Sequence, residues 1–189
     1  MLPFVAISDD EEPSKNENFG DILPAMALKN TVLFPGVILP ITVGRDKSMR
    51  AITKAYEGSK FISVLTQIDS KTEDPNFKDL YQIGTIARIV KLLRMPDGSQ
   101  TVILQGRKRF LVTEIVSEDK YLECKIQLKE YVLPENALEY EATIKSIQER
   151  SKKIIELNPQ IPNEAQLLLR NINNDRFLLN FISSNINIA

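Results

Sequence analysis

The residue types that carry nucleophilic catalysis are nearly absent from this chain. Its 189 residues include no histidine and one cysteine, Cys124, which excludes every Ser-His-Asp and Cys-His arrangement. Serine and lysine are neighbours at Ser14-Lys15, Ser59-Lys60, Ser70-Lys71 and Ser151-Lys152, but adjacency alone does not make a nucleophile and its base, so these read as surface pairs. None of the seven glycines is followed by lysine, which rules out a Walker A loop. Their spacing also excludes a Gly-x-Gly-x-x-Gly loop. A metal would have to be held by carboxylates alone. The run Asp9 to Glu12 is the candidate, and it reads as part of a solvated acidic tail. No catalytic, cofactor-binding or metal-ligating residue is therefore expected.

Binding chemistry is better represented. Arg88, Lys91, Arg94, Arg107, Lys108 and Arg109 stand against Asp97 alone, the charge an RNA-binding surface would need. No row of aromatics interleaves with them, and the whole chain balances 24 basic against 25 acidic residues, so a solvated sheet face is the stronger reading. The longest apolar stretch, Ile22 to Leu28, contains Pro24 and is far shorter than the roughly 18 residues a membrane span requires. A lone cysteine permits no intrachain disulfide and suits a reducing compartment. The start lacks the basic segment of a signal peptide, and a cytoplasmic location with no membrane partner is expected.

The elements that position these residues fall into three parts. Residues 1–21 are acidic and read as a flexible tail. Residues 22–133 are mainly β: strands are expected at Ala25–Val32, Val37–Val43, Phe61–Thr66, Ile83–Met95, Thr101–Gly106, Arg109–Val116 and Tyr121–Val132. One helix, capped by Asp46 and closed by Gly58, interrupts them. Gln67–Leu80 is expected to be a long loop, and Pro96-Asp97-Gly98-Ser99 a hairpin turn. Tyr81 and Gly84 read as structural, Gly84 permitting close backbone approach where that loop enters the strand, and Arg45 is expected to pair with a carboxylate such as Asp46 or Asp79. Apolar residues occur on both faces of the central strands, which suggests a closed or strongly curled antiparallel sheet. Residues 134–189 change to a helical period. A helix runs through Tyr140, Ile144, Ile147, Ser151, Ile154 and Ile155, and a second is capped by Asn163 with Leu168, Ile172, Leu178, Leu179 and Ile182 as its stripe. The apolar pattern still running at Ala189 is expected of a piece cut from a longer chain.

From Leu23 onward the chain carries, in order, Leu33-Phe34-Pro35-Gly36, Leu39-Pro40-Ile41, Val43-Gly44-Arg45 with Lys47-Ser48, Asp79-Leu80-Tyr81-Gln82-Ile83-Gly84-Thr85-Ile86-Ala87, Pro96-Asp97-Gly98 and Gln105-Gly106. In these strings and their spacing it resembles the N-terminal domain of the Lon family of ATP-dependent proteases. The resemblance implies an α+β fold, with a PUA-like antiparallel β-barrel lobe holding one inserted helix, followed by a helical lobe. It further implies a non-catalytic region that selects unfolded or damaged protein substrates and supports a hexamer. The parent would be an ATP-dependent serine endopeptidase using ATP and Mg, with no cofactor in these residues. Phe34, Pro35, Met95 and Pro96, placed at turns of a rigid sheet, are then the candidate substrate contacts. Against this, Phe34 and Met95 could fold back onto the barrel core, and for Phe34 that alternative is the stronger. Two other readings remain: a stand-alone Lon-like adaptor or regulator, and a PUA-like RNA-binding module.

Overall fold

The computed structural model describes residues 17–95, 100–132, 134–157, 172 and 174–185. The chain divides into two compact units, 1–130 and 131–189. The first is built from six strands, β1 (Ile22–Leu28), β2 (Ile38–Val43), β3 (Phe61–Thr66), β4 (Ile83–Arg94), β5 (Gln100–Ser117) and β6 (Leu122–Leu128), with helix α1 (Asp46–Glu57) between β2 and β3. Their order is β2-β5-β4-β3-β1-β6, and β6 pairs again with β5. The sheet therefore closes on itself, as the two-sided apolar pattern suggested.

Closure depends on the length of β5. Two strands were expected, at Thr101–Gly106 and Arg109–Val116, but the structure has one of 18 residues. Its first part, Gln100–Gln105, pairs with β2, and its last, Phe110–Ser117, pairs with β6, while β4 follows it from Gln100 to Leu111. Nothing between Gly106 and Arg109 breaks the extended backbone, so the sequence signal for a break there reflected a change of partner, not a turn. Register shifts between Ile86 and Ala87 and between Ile89 and Lys91 bend β4 along the same path.

The sheet is mixed. Five of the six pairings are antiparallel, but β1 and β3 run parallel, with Ala25 opposite Ser63 and Leu28 opposite Thr66. The wholly antiparallel barrel expected from the sequence is corrected on this point: β2 and α1 lie between β1 and β3 and return the chain to the same end. Helix α1 buries Ser48, Ala51, Ile52 and Ala55. Asp46 does not cap it; the N-cap is Arg45, and Asp46 stands in the first turn with a carboxylate oxygen 3.9 Å from Arg50.

Adjacent residues of the central strands enter different apolar clusters. Met26, Val64, Ala87 and Ile89 join α1 in one, while Ala25, Leu65, Ile86 and Phe110 join Phe77 and Leu80 in the other. The expected loop 67–80 thus carries two core side chains, Phe77 on a short 3-10 turn, Phe77–Asp79, and Leu80 directly after it. The acidic tail read as 1–21 is also corrected at its end. Phe19 is buried against the second cluster, its ring 4.9 Å from that of Phe61, and Glu17 grips the buried Arg107 guanidinium at 2.9 and 2.5 Å. Charge pairing and aromatic packing outweigh composition here. Of residues 1–16, including Asp9 to Glu12, the expectation lies outside the described residues.

The second unit contains α2 (Ala137–Leu157) and α3 (Asp175–Asn185). Asn136 caps α2, its side-chain oxygen accepting the Glu139 N–H at 3.2 Å. Tyr131 ties both helices, bonding the Tyr140 hydroxyl of α2 at 3.3 Å and lying under Arg176 of α3 at 4.2 Å. The expected single stripe from Leu168 to Ile182 is corrected: Ile172 and Asn174 are not helical, and Asn174 caps α3 through the Phe177 N–H at 3.1 Å. Asn163 and Leu168 lie outside the described residues.

Gly106 is the point at which the 34–37 turn docks on β5. Gly36 donates to the Gly106 carbonyl and Gly106 to the Val37 carbonyl, both at 2.9 Å. A Cβ at residue 106 would lie 2.2 Å from the Phe34 carbonyl oxygen, which is backbone and cannot yield cheaply. Gly106→Ala is expected to destabilise the chain by about 3 kcal/mol in a denaturant melt. Gly44→Ala, whose Cβ would meet nothing within 4 Å, is expected to change it by less than about 0.5 kcal/mol.

Candidate peptide-binding face

The residues singled out for binding do not converge. Phe34 is half-buried against the first apolar cluster, with the Arg109 guanidinium 6.0 Å above its ring. Pro35 is half-buried beside it, its Cα in reach of Gly106. Met95 follows β4 beyond the Arg94–Gln100 pair and is 45% exposed. Six residue steps along β5 lead from Gln100 to Gly106, which places Phe34 and Met95 about 20 Å apart. Pro96 lies outside the described residues. Phe34 is thus part of the packing, and Met95 stands at an exposed strand end.

What surrounds Met95 was not singled out from the sequence. Register places Pro40, Ile103 and Lys91 opposite one another on β2, β5 and β4, and Thr42, Thr101 and Leu93 in the next row of the same face. Val102 and Leu104 point the other way, into the core. On this outer face Pro40 and Leu93 are exposed and Ile103 half-buried; Val90, at the register shift, is also exposed. On this face the apolar residues Pro40, Ile103, Leu93 and Met95 adjoin the exposed cations Arg88 and Lys91, while Arg94, opposite Gln100, alternates to the other face. Alternation along β2 and β5 was a usable signal, but only the pairing shows that the two rows adjoin.

The same geometry weakens the RNA reading. Arg107, counted among the basic residues of the hairpin, is turned inward and neutralised by Glu17. Arg45, expected to meet Asp46 or Asp79, instead donates to the neutral Gln67 Oε1 at 2.8 Å. Tyr81, read as structural, is 54% exposed, whereas Gly84 fits the close approach expected of it, since a Cβ there would lie 2.3 Å from the Val64 carbonyl oxygen.

No catalytic grouping forms among the described residues. Ser59 Oγ accepts the Phe61 N–H at 3.3 Å while Lys60 lies over the Tyr56 ring at 5.5 Å, so that pair finishes a turn. No three His, Cys, Asp or Glu side chains among the described residues gather as metal ligands, and no described helix is long and apolar enough to cross a membrane. Cys124 is buried against Ser63, and burial pushes its thiol up to about 11.

Comparison with known proteins agrees with this picture of a binding fold. Residues 22–189 match the family described as the ATP-dependent protease La (LON) substrate-binding domain. The chain is 47% identical over 190 residues to the Lon protease of Flavobacterium johnsoniae and 40% identical over 188 to that of Cytophaga hutchinsonii. These alignments cover 100% and 99% of the chain but 23% of each relative, so the chain spans about a quarter of their length. Among solved structures, the N-terminal domain of Mycobacterium avium complex Lon protease shares the fold with a TM-score of 0.71 at 15% identity, over 89% of this chain and 84% of that one. The Lon N-terminal domain protein from Xanthomonas campestris gives 0.53 at 18% identity, over 88% and 99%.

A thiol with its acidity lowered this far holds about a hundredfold less thiolate at pH 8 than one at its ordinary value of 9.0. Iodoacetamide is expected to label Cys124 at least about a hundredfold more slowly in the native chain than in urea, read by mass spectrometry. The sign also fixes a stability trend: the neutral thiol is favoured in the fold, so this contribution is present below pH 9 and lost as pH rises through 11.

Proposed function

The chain belongs to the Lon substrate-binding domain family, and on that premise we propose that it captures unfolded or damaged polypeptides for an ATP-dependent protease without doing chemistry itself. The observation that carries this reading is the outer face of β2, β5 and β4. Pro40, Ile103, Leu93 and Met95 form an apolar row on a rigid sheet, with the exposed cations Arg88 and Lys91 beside it. Unfolded chains differ from folded ones in exposing apolar side chains, so such a row discriminates between them by hydrophobic contact. The bordering cations favour segments flanked by acidic residues.

Of the candidate contacts, Met95 belongs to this face, and Pro96 is proposed with it as the next residue in the chain. Phe34 and Pro35 are proposed to act indirectly, by holding the 34–37 turn on Gly106. Each contact on so small a surface is weak. In the proposed hexameric ring of the whole protein, several copies would raise the effective concentration of the second contact and convert weak binding into avidity. ATP and Mg would then act elsewhere in the longer protein, in the cytoplasm.

Titration of the 189-residue chain with reduced, carboxymethylated lactalbumin and with the folded form tests the reading. Selective binding of the unfolded form is expected, weakened about fivefold, or about 1 kcal/mol, by Met95→Ala and by Leu93→Ala with unchanged melting temperature. Phe34→Ala is expected to lower the melting temperature. Equal affinity for both forms, or indifference to both Met95→Ala and Leu93→Ala, would overturn it.

A further inference from the structure

The closed sheet has a seam. At one end β6 joins β1 to β5, but its pairing with β1 stops at Ala25. At the other end β2 takes the place of β6 on β5, yet among the described residues no pairing joins β2 to β1. A cleft of about 400 Å³ lies there, its walls the consecutive residues Met26–Lys29 of one strand end and Leu39–Val43 of the other.

Both walls present strand edges. Pro40 has no N–H, so its pair with Ile103 is a non-bonded one, and Ile38, Pro40 and Thr42 turn their backbone groups away from β5. The bond from the Gly106 N–H to the Val37 carbonyl fixes the same phase. On the opposite wall, the Gln67 N–H bonds the Leu28 carbonyl, which assigns Met26 and Leu28 to β3 and leaves Ala27 and Lys29 facing the cleft. Below them lie buried Met26, Leu28, Leu39 and Val43. The cleft therefore offers two rows of backbone donors and acceptors over an apolar floor, the requirement for adding a strand.

Charge selects the occupant. The charged residues lining the cleft are Lys29 and Arg45, with no carboxylate among its walls. Arg45 donates to the neutral Gln67 and, among the described residues, forms no ion pair, the nearby Asp74 being paired with Lys47. We infer that the cleft between β1 and β2 binds an extended, apolar stretch of substrate polypeptide bearing an acidic side chain, held as an added strand. This rests on the substrate-binding reading and assigns it a second site, on the seam instead of the outer face. Because β1 and β2 run in opposite directions, an inserted strand is parallel to one wall and antiparallel to the other, about 4.8 Å from each.

The test uses the peptide acetyl-Val-Thr-Val-Glu-Val-Thr-amide and a twin N-methylated at its central residues, with the full 189-residue chain. At ten times its Kd the peptide is expected to slow hydrogen exchange at the Ala27 and Thr42 amides about tenfold. The N-methylated twin is expected to bind at least tenfold more weakly. Thr42→Pro removes a donor that faces the cleft and spares the bonds to β5, so it is expected to weaken the peptide about tenfold. Lys29→Glu, a surface change, is expected to weaken the same peptide and to favour its Glu-to-Lys analogue. Unchanged exchange at Ala27 and Thr42, or equal affinity for the N-methylated twin, would overturn the cleft while carboxymethylated lactalbumin could still bind the outer face. Absence of binding by peptide and lactalbumin alike would overturn both readings.

Discussion

The length of β5 is the constraint on which the first unit depends. A single 18-residue strand must serve β2 with its first part and β6 with its last, while β4 lies along its other side. Every backbone group of a strand needs a partner, so a strand that changes neighbours must be secured where the change occurs. Residues 106–109 do this. Gly106 admits the 34–37 turn against its backbone, Arg107 holds Glu17, and the Arg109 carbonyl accepts the Lys129 N–H at 2.9 Å. Three separate segments thus converge on four residues, and the barrel closes around them.

That arrangement separates structural duty from surface display. Side chains near the switch in β5 are spent on packing: Phe34 lies under Arg109, and Arg107 is buried. Toward Gln100 the same strand lies between β2 and β4 with one face open, and there Pro40, Ile103, Leu93 and Met95 gather. The seam beside β2 follows from the same cause. Because β2 replaces β6 without reaching β1, that end retains, among the described residues, two unpaired edges.

Fold class was legible in the sequence because hydrophobic periodicity is local. The change from β alternation to a helical period near Pro134, the position of α1, and strand β3 were all visible as patterns of neighbouring residues. The quoted motifs carried the family resemblance, which the match over residues 22–189 bears out. Gly84 was legible for the same reason: a glycine entering a strand signals close approach.

What the sequence could not determine was pairing across long separations. Alternation assigns a residue to one face of its own strand, but it does not say which strand lies beside it. For that reason the unbroken β5, the parallel β1–β3 pair and the burial of Phe19 and Arg107 were missed. The candidate face shows the same limit: Met95 was found as a turn residue, whereas Pro40 and Leu93 became its neighbours only through register. Sequence by itself determined the fold class, the place of α1 and β3, the family and the absence of histidine chemistry. Tertiary structure decided which surface and which edges are open, because exposure depends on what covers a residue, and the segments that do so are far away in the chain.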